Sequence, residues 1–228
     1  SPAYKINVET GLLIIILIVA VLSRISALEP RVMSHDENSH VYFSWFFYNG
    51  TGYAHDPVTH GPFQFHLVAL SYFLFGPSDT SARIPAALFS IATVAFMWYF
   101  RRFLGRAGAL IAALLFTISP YMLYYGRYVR NETFVALFGL VMLWAILRYL
   151  ESGKYGYLYA LSAVTALHFT AKETAFIYQA QALIFLAFLF IQQVTQKKWK
   201  HPGQRSRFIL ALMVALILVG GVAASFFL

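Results

Sequence analysis

The chain has 228 residues, 60% of them hydrophobic and 11% charged, with a mean hydropathy of +0.65 and a formal net charge of +8. A soluble domain carries roughly 25% charged residues, so composition excludes that class and points to a polytopic membrane protein. The absence of cysteine excludes a disulfide framework, a thiol nucleophile and a cysteine metal site.

A spanning helix takes about 20 mostly apolar residues. Apolar runs at 11–28, 82–100, 107–125, 133–150, 157–171, 174–191 and 208–228 predict about seven spans. The fold class expected is all-α, a polytopic transmembrane helix bundle with an outer juxtamembrane helical loop after the first helix. The first residue is Ser1, and the chain stops at Leu228 inside an apolar run. Residues 1–228 therefore read as one transmembrane domain, the N-terminal part of a longer chain.

The stretch 29–81 is long for a loop of a membrane bundle. It opens on Ser34-His35-Asp36-Glu37-Asn38-Ser39-His40, directly after the first apolar run. From there Asp36, His40, Ser44 and Tyr48 recur at i,i+4 and share a helix face. Val41, Phe43, Trp45, Phe46 and Phe47 fill most of the remainder, as in a helix lying among lipid headgroups. Asn49-Gly50-Thr51-Gly52 breaks it. The run 63–75 is too short to span comfortably and carries Gln64 and His66.

Charge sets the direction. If 63–75 does not cross and Lys5 lies inside, then Arg101, Arg102, Arg106, Lys154 and the basic cluster over 197–207 also lie inside, as the positive-inside rule requires. The N-terminus is then inside. Glu29, Asp36, Glu37, Asp56, Asp79, Arg127, Arg130, Glu132, Lys172 and Glu173 face out. The basic residues lie in short connections rather than on one face, so nucleic acid is not an expected partner.

Three groups carry chemistry. Asp36 and Glu37 are carboxylates at a membrane boundary, where burial raises a carboxyl pKa and suits it to general-base work. The plainer reading is that Asp36 caps a helix. Arg127, Arg130 and Lys172 are cations at the outer edge, suited to a lipid phosphate. Arg24, Arg31 and Arg83 are weaker candidates, and snorkelling to the interface is the plainer reading. The histidines His35, His40, His55, His60 and His66 suit hydrogen bonding to sugar or phosphate. His40, His60 and His66, with Glu132, are the candidate acceptor-binding residues. A divalent metal on His35, Glu37 and His40 is a weaker alternative, since no His-Glu-x-x-His pattern is present; no metal or other cofactor is the expectation.

In this order, several segments resemble the integral-membrane C-type glycosyltransferases. They are Asp36-Glu37, His60-Gly61-Pro62-Phe63, Leu74-Phe75-Gly76, Ala82-Arg83-Ile84-Pro85-Ala86-Ala87-Leu88, Arg101-Arg102-Phe103-Leu104-Gly105, Arg130-Asn131-Glu132 and Ala171-Lys172-Glu173. The branch they resemble is the protein O-mannosyltransferase and aminoarabinose transferase superfamily, in its flippase-associated, dolichyl-phosphate-mannose-type members. Gly61 and Phe63 depart from the commoner His-Pro-Pro-Leu segment.

The resemblance implies inverting transfer of a sugar from a polyprenyl-phosphate donor to a hydroxyl acceptor, on the outer face of a prokaryotic plasma membrane. Asp36 is then the base, Glu37 assists, and Arg127, Arg130 or Lys172 neutralise the leaving phosphate. The implied partners are membrane lipid and the lipid-linked sugar. Two other classes stay open: a non-catalytic, transferase-like subunit of a larger membrane complex, and a lipid-sugar flippase or transporter. A transporter would keep charges at mid-bilayer, whereas most charges here sit at the helix ends.

Overall fold

The computed structural model describes residues 7–54 and 60–225; Lys5, His55, Asp56 and Pro57 lie outside them. The described residues are helical, without strands: α1 (Val8–Ile25), α2 (His35–Tyr48), α3 (Pro62–Phe75), α4 (Asp79–Phe96), α5 (Arg101–Ile118), α6 (Pro120–Tyr125), α7 (Glu132–Ser152), α8 (Tyr155–Ala171), α9 (Ala175–Gln196) and α10 (Pro202–Ser225). Among the described residues, five helical stretches are long and apolar enough to cross a membrane: Val8–Ile25, Asp79–Ile118, Glu132–Ser152, Ala175–Gln196 and Gly203–Gly221. The fold is thus an all-α membrane bundle.

The chain forms two compact units, Ser1–Gln181 and Ala182–Leu228. In the second, Phe208 of α10 packs on Phe190 and Trp199. All the candidate site residues belong to the first.

The stretch Asp79–Ile118 is not one straight rod. A 3₁₀ turn, Met97–Phe100, follows α4, and Gly105 breaks α5 with φ +73° and ψ 170°. Only glycine adopts that backbone freely, which is why the reversal falls there. Near this reversal lies one charged end of the unit: Arg106 pairs with Glu9 at 3.0 Å, while Arg102 and Arg148 both pair with Glu151.

The other end holds the end of α1, α2, and the starts of α4 and α7. Helix α3 has both its ends there. Its leading Gly61 donates its N–H to Ala171 O at the end of α8 (3.3 Å), and Ser71 Oγ donates to Ser81 O at the start of α4 (2.6 Å). Nothing larger than glycine fits at Gly61. A Cβ on it would lie 2.1 Å from Thr170 O.

Lipid contact explains the rest of the surface. Along α1 only Ala20 and Arg24 are buried, and Ile15, Ile18 and Leu22 stay open. In hydrocarbon the backbone is satisfied within the helix, and apolar side chains can face outward. Buried Arg24 is tied down completely, donating to Ser23 Oγ, Ser90 Oγ, Phe116 O and Thr117 O. It joins α1, α4 and α5 and is a packing residue rather than a phosphate ligand.

Candidate active site

Local sequence places the two carboxylates. Ser34 and Glu37 form a capping box: Glu37 N–H donates to Ser34 Oγ (3.5 Å), and Ser34 N–H donates to Glu37 Oε2 (3.3 Å). Two orphan donors of the first turn are thereby satisfied. The cap is Ser34, so Asp36 is not needed for that role and its carboxylate is free for other partners. Successive helix positions lie about 100° apart, and the neighbours separate. The Glu37 side chain is 0% exposed and that of Asp36 48%.

Glu37 is fully engaged. Its Oε1 accepts from Arg83 Nε (3.0 Å) and Val129 N (3.1 Å), and its Oε2 from Arg83 Nη2 (3.2 Å) and Arg31 Nη2 (2.7 Å). Arg83 also donates to Leu28 O and Arg31 O. The Arg31 guanidinium lies over the rings of Tyr124 and Tyr128. One buried carboxylate thus binds the loop after α1, the start of α2, α4 and the segment before α7. Arg31 and Arg83, weaker phosphate candidates from sequence, are held by it.

Asp36 begins an open chain of charges. Arg130 Nη1 donates to Asp36 Oδ2 at 2.7 Å, and Arg130 Nε lies 3.5 Å from Glu132 Oε1. Lys172 Nζ donates to the same Glu132 oxygen at 2.8 Å. The next residue, Glu173, meets His60, with Nδ1 to Oε2 2.7 Å. The His60 ring stacks on His40 with centroids 6.3 Å apart. His60 holds φ +68°, a left-handed backbone that is costly outside glycine and is found at functional sites. Asp36, Arg130, Glu132, Lys172, Glu173, His60 and His40, 137 positions apart at the extremes, thus form one cluster.

Burial dominates the electrostatics of His40. It pushes the imidazole down to about 4, with the nearby charges of His60 and Arg130 acting in the same direction, while Glu132 and Asp36 oppose it. Burial pushes the Glu173 carboxyl up, but its backbone hydrogen bond, His60 and Lys172 together leave it below the ordinary range. Glu173 is therefore a charged partner for His60.

Other expectations from sequence separate. Arg127 does not join the cluster: its guanidinium donates to Ser23 O and Ala27 O and closes the end of α1. Residues 126–131 are an irregular turn, so Arg127 and Arg130, three apart, do not share a helix face. His66 lies elsewhere too. Its Nδ1 is 2.8 Å from Pro62 O and its ring packs on Phe47 and Tyr53. The His35, Glu37 and His40 metal set is not assembled. The His35 side chain is 97% exposed and Glu37 is committed to arginines, and no group of three metal-ligating residues occurs among the described residues. Sequence reasoning did not place Glu173 in the site, although it adjoins Lys172. No signal marked Val129, whose contribution is a backbone N–H.

Residues 59–223 match the dolichyl-phosphate-mannose-protein mannosyltransferase family. The chain belongs to this family. Among solved structures it is similar to ArnT from Cupriavidus metallidurans in the apo state, with a TM-score of 0.67 and 20% sequence identity. That likeness supports the fold. It covers 93% of this chain and 41% of that one, so the chain spans well under half of that protein. A comparison with curated protein sequences gives no match.

Proposed function

We propose that this family member transfers a sugar from a polyprenyl-phosphate donor to a hydroxyl acceptor with inversion, on the outer membrane face. The observation that carries the reading is the Asp36–Arg130–Glu132–Lys172 chain. It sets a half-exposed carboxylate beside two cations at one end of a lipid-facing bundle. Asp36 accepts the proton of the acceptor hydroxyl. The freed oxygen bonds to the anomeric carbon as the bond from that carbon to the phosphate oxygen breaks. The electron pair leaves with the polyprenyl phosphate, whose growing charge faces Arg130 and Lys172.

Arg130 then has two roles in sequence. Without donor it holds Asp36; a donor phosphate competes for it and releases the carboxylate for the acceptor. His60 and Glu132 line the acceptor side. Glu37 is a positioning residue, fixing α2 so that Asp36 faces Arg130.

The test is stereochemical. The purified full-length protein is given a polyprenyl-phosphate hexose of known anomeric configuration and a hydroxyl acceptor. The glycoside formed should carry the opposite configuration. A product of retained configuration overturns the direct displacement, and no product with any such donor overturns the transferase reading.

A further inference from the structure

A groove of the first unit lies outside the chain of charges. It is a cavity of about 820 Å³ between α2 and the turn that joins α3 to α4, and its walls include Asn38, Tyr42, Trp45, Tyr72, Ser78 and Asp79. Helix geometry explains the α2 wall. At about 100° per residue, Asn38, Tyr42 and Trp45 fall on one side, opposite the buried Glu37, His40 and Ser44. The Tyr42 and Trp45 side chains therefore stay open, 56% and 44% exposed, while Tyr72 is buried.

The polar end of the groove is an acid without a counter-ion. Ser78 caps α4, its Oγ accepting from Ser81 N–H at 3.1 Å, so capping does not consume the next residue, Asp79. Asp79 is exposed and forms no ion pair among the described residues. Its charge reaches the rings: burial, and after it the nearby Asp79 carboxylate, push the Tyr72 hydroxyl up to about 12. Neither lysine nor arginine lines the groove. Among the described residues, guanidinium groups lie over Trp98, Tyr124, Tyr128 and Tyr157, and over none of the groove's rings. The adjoining edge is apolar. Helix α3 ends on exposed Phe73, Leu74 and Phe75, and Gly76-Pro77 leads from there to Ser78-Asp79.

We propose that this groove binds a zwitterionic phospholipid by its ammonium headgroup, with Asp79 as the counter-ion and the Tyr42 and Trp45 rings against the cation. A cation is attracted both by an aromatic face and by a carboxylate, and the groove offers both with no cation of its own. The Asn38 amide donates to the phosphate of the same headgroup, and the acyl chains run along Phe73, Leu74 and Phe75. An anionic headgroup would meet a carboxylate and nothing to offset it. The site does not depend on the transfer reading. Anchoring by interfacial aromatic residues in general would not distinguish one headgroup from another, and that contrast supplies the test.

The purified full-length protein in detergent is titrated with phosphatidylethanolamine, phosphatidylcholine and phosphatidylglycerol of identical acyl chains. A fourth ligand, glycerophosphoethanolamine, has the same headgroup without the chains. The parent should bind both zwitterionic lipids about fivefold more tightly than phosphatidylglycerol, and glycerophosphoethanolamine more weakly than phosphatidylethanolamine. Asp79→Asn should remove the preference with an unchanged melting temperature in detergent alone, since the side chain is exposed and its size is preserved. Trp45→Leu should weaken the zwitterionic lipids and leave phosphatidylglycerol within about twofold. Equal affinity for the three lipids, or tighter binding of phosphatidylglycerol, overturns the site and leaves interfacial anchoring alone. A preference that survives either substitution overturns it too. Glycerophosphoethanolamine binding as tightly as the intact lipid overturns the lipid as the occupant.

Discussion

Two adjacent carboxylates divide this molecule into a closed region and an open one. Around Glu37, five donors converge on one buried side chain, and Arg83 and Arg31 carry no free role. Around Asp36, the charges form a line rather than a knot, and unmatched polar atoms collect beside it. The difference teaches that a pair of acids in sequence need not be a pair in chemistry. Helix geometry turns one toward the packing of four segments and leaves the other for a ligand.

The closed region should break hardest. Glu37→Ala leaves the Arg83 guanidinium buried without its counter-ion, a change that costs about 3–5 kcal/mol. Unfolding of the purified protein in detergent should show that loss. A variant as stable as the parent would mean that the buried carboxylate does not hold these segments.

Acid should act through the open region. The folded-state value of His40 lies at about 4, below its ordinary 6.5. Its contribution is therefore fully present above pH 6.5 and is lost as pH falls from 6.5 through 4, because the unfolded chain then binds the extra proton. The loss should reach about 3 kcal/mol at most. His40→Asn should flatten the pH dependence of the melting temperature in that window; an unchanged slope would place the acid sensitivity elsewhere.

Gly61 probes the seam that brings His60 to Glu173. Gly61→Ala drives a methyl group into Thr170 O and should cost about 1–3 kcal/mol. It should also weaken transfer by displacing His60. Full stability and activity would show that the seam yields freely. The smallest effect expected is on donor binding alone. Lys172→Ala should weaken the lipid-phosphate donor about tenfold while leaving acceptor affinity unchanged, as measured by titration.

Composition alone carried the all-α membrane class, because a chain this apolar has few other ways to satisfy its backbone. The amphipathic α2 was legible too, from the i,i+4 recurrence of Asp36, His40 and Ser44 and the break at Asn49-Gly50. Its buried residues are Glu37, His40 and Ser44: His40 and Ser44 lie on the polar stripe the sequence suggests, and Glu37 takes the place of Asp36. Arg127 and Arg130 looked equivalent because spacing alone cannot show that residues 126–131 leave the helix. Arg31 and Arg83 looked like surface cations because their counter-ion, Glu37, was assigned to catalysis. The Glu173–His60 contact spans 113 positions and leaves no local signal. Gly61, by contrast, was visible as a departure from the commoner motif, and the close approach of Thr170 O gives its reason.

The central claim is that Asp36, and not its neighbour, does the chemistry. The most direct measurement is the rate of sugar transfer from a polyprenyl-phosphate donor by folded Asp36→Asn, compared with the parent. The account predicts a fall of about 10²–10⁴ with melting temperature nearly unchanged, since the side chain is half exposed and its size is preserved. Transfer as fast as that of the parent would contradict it.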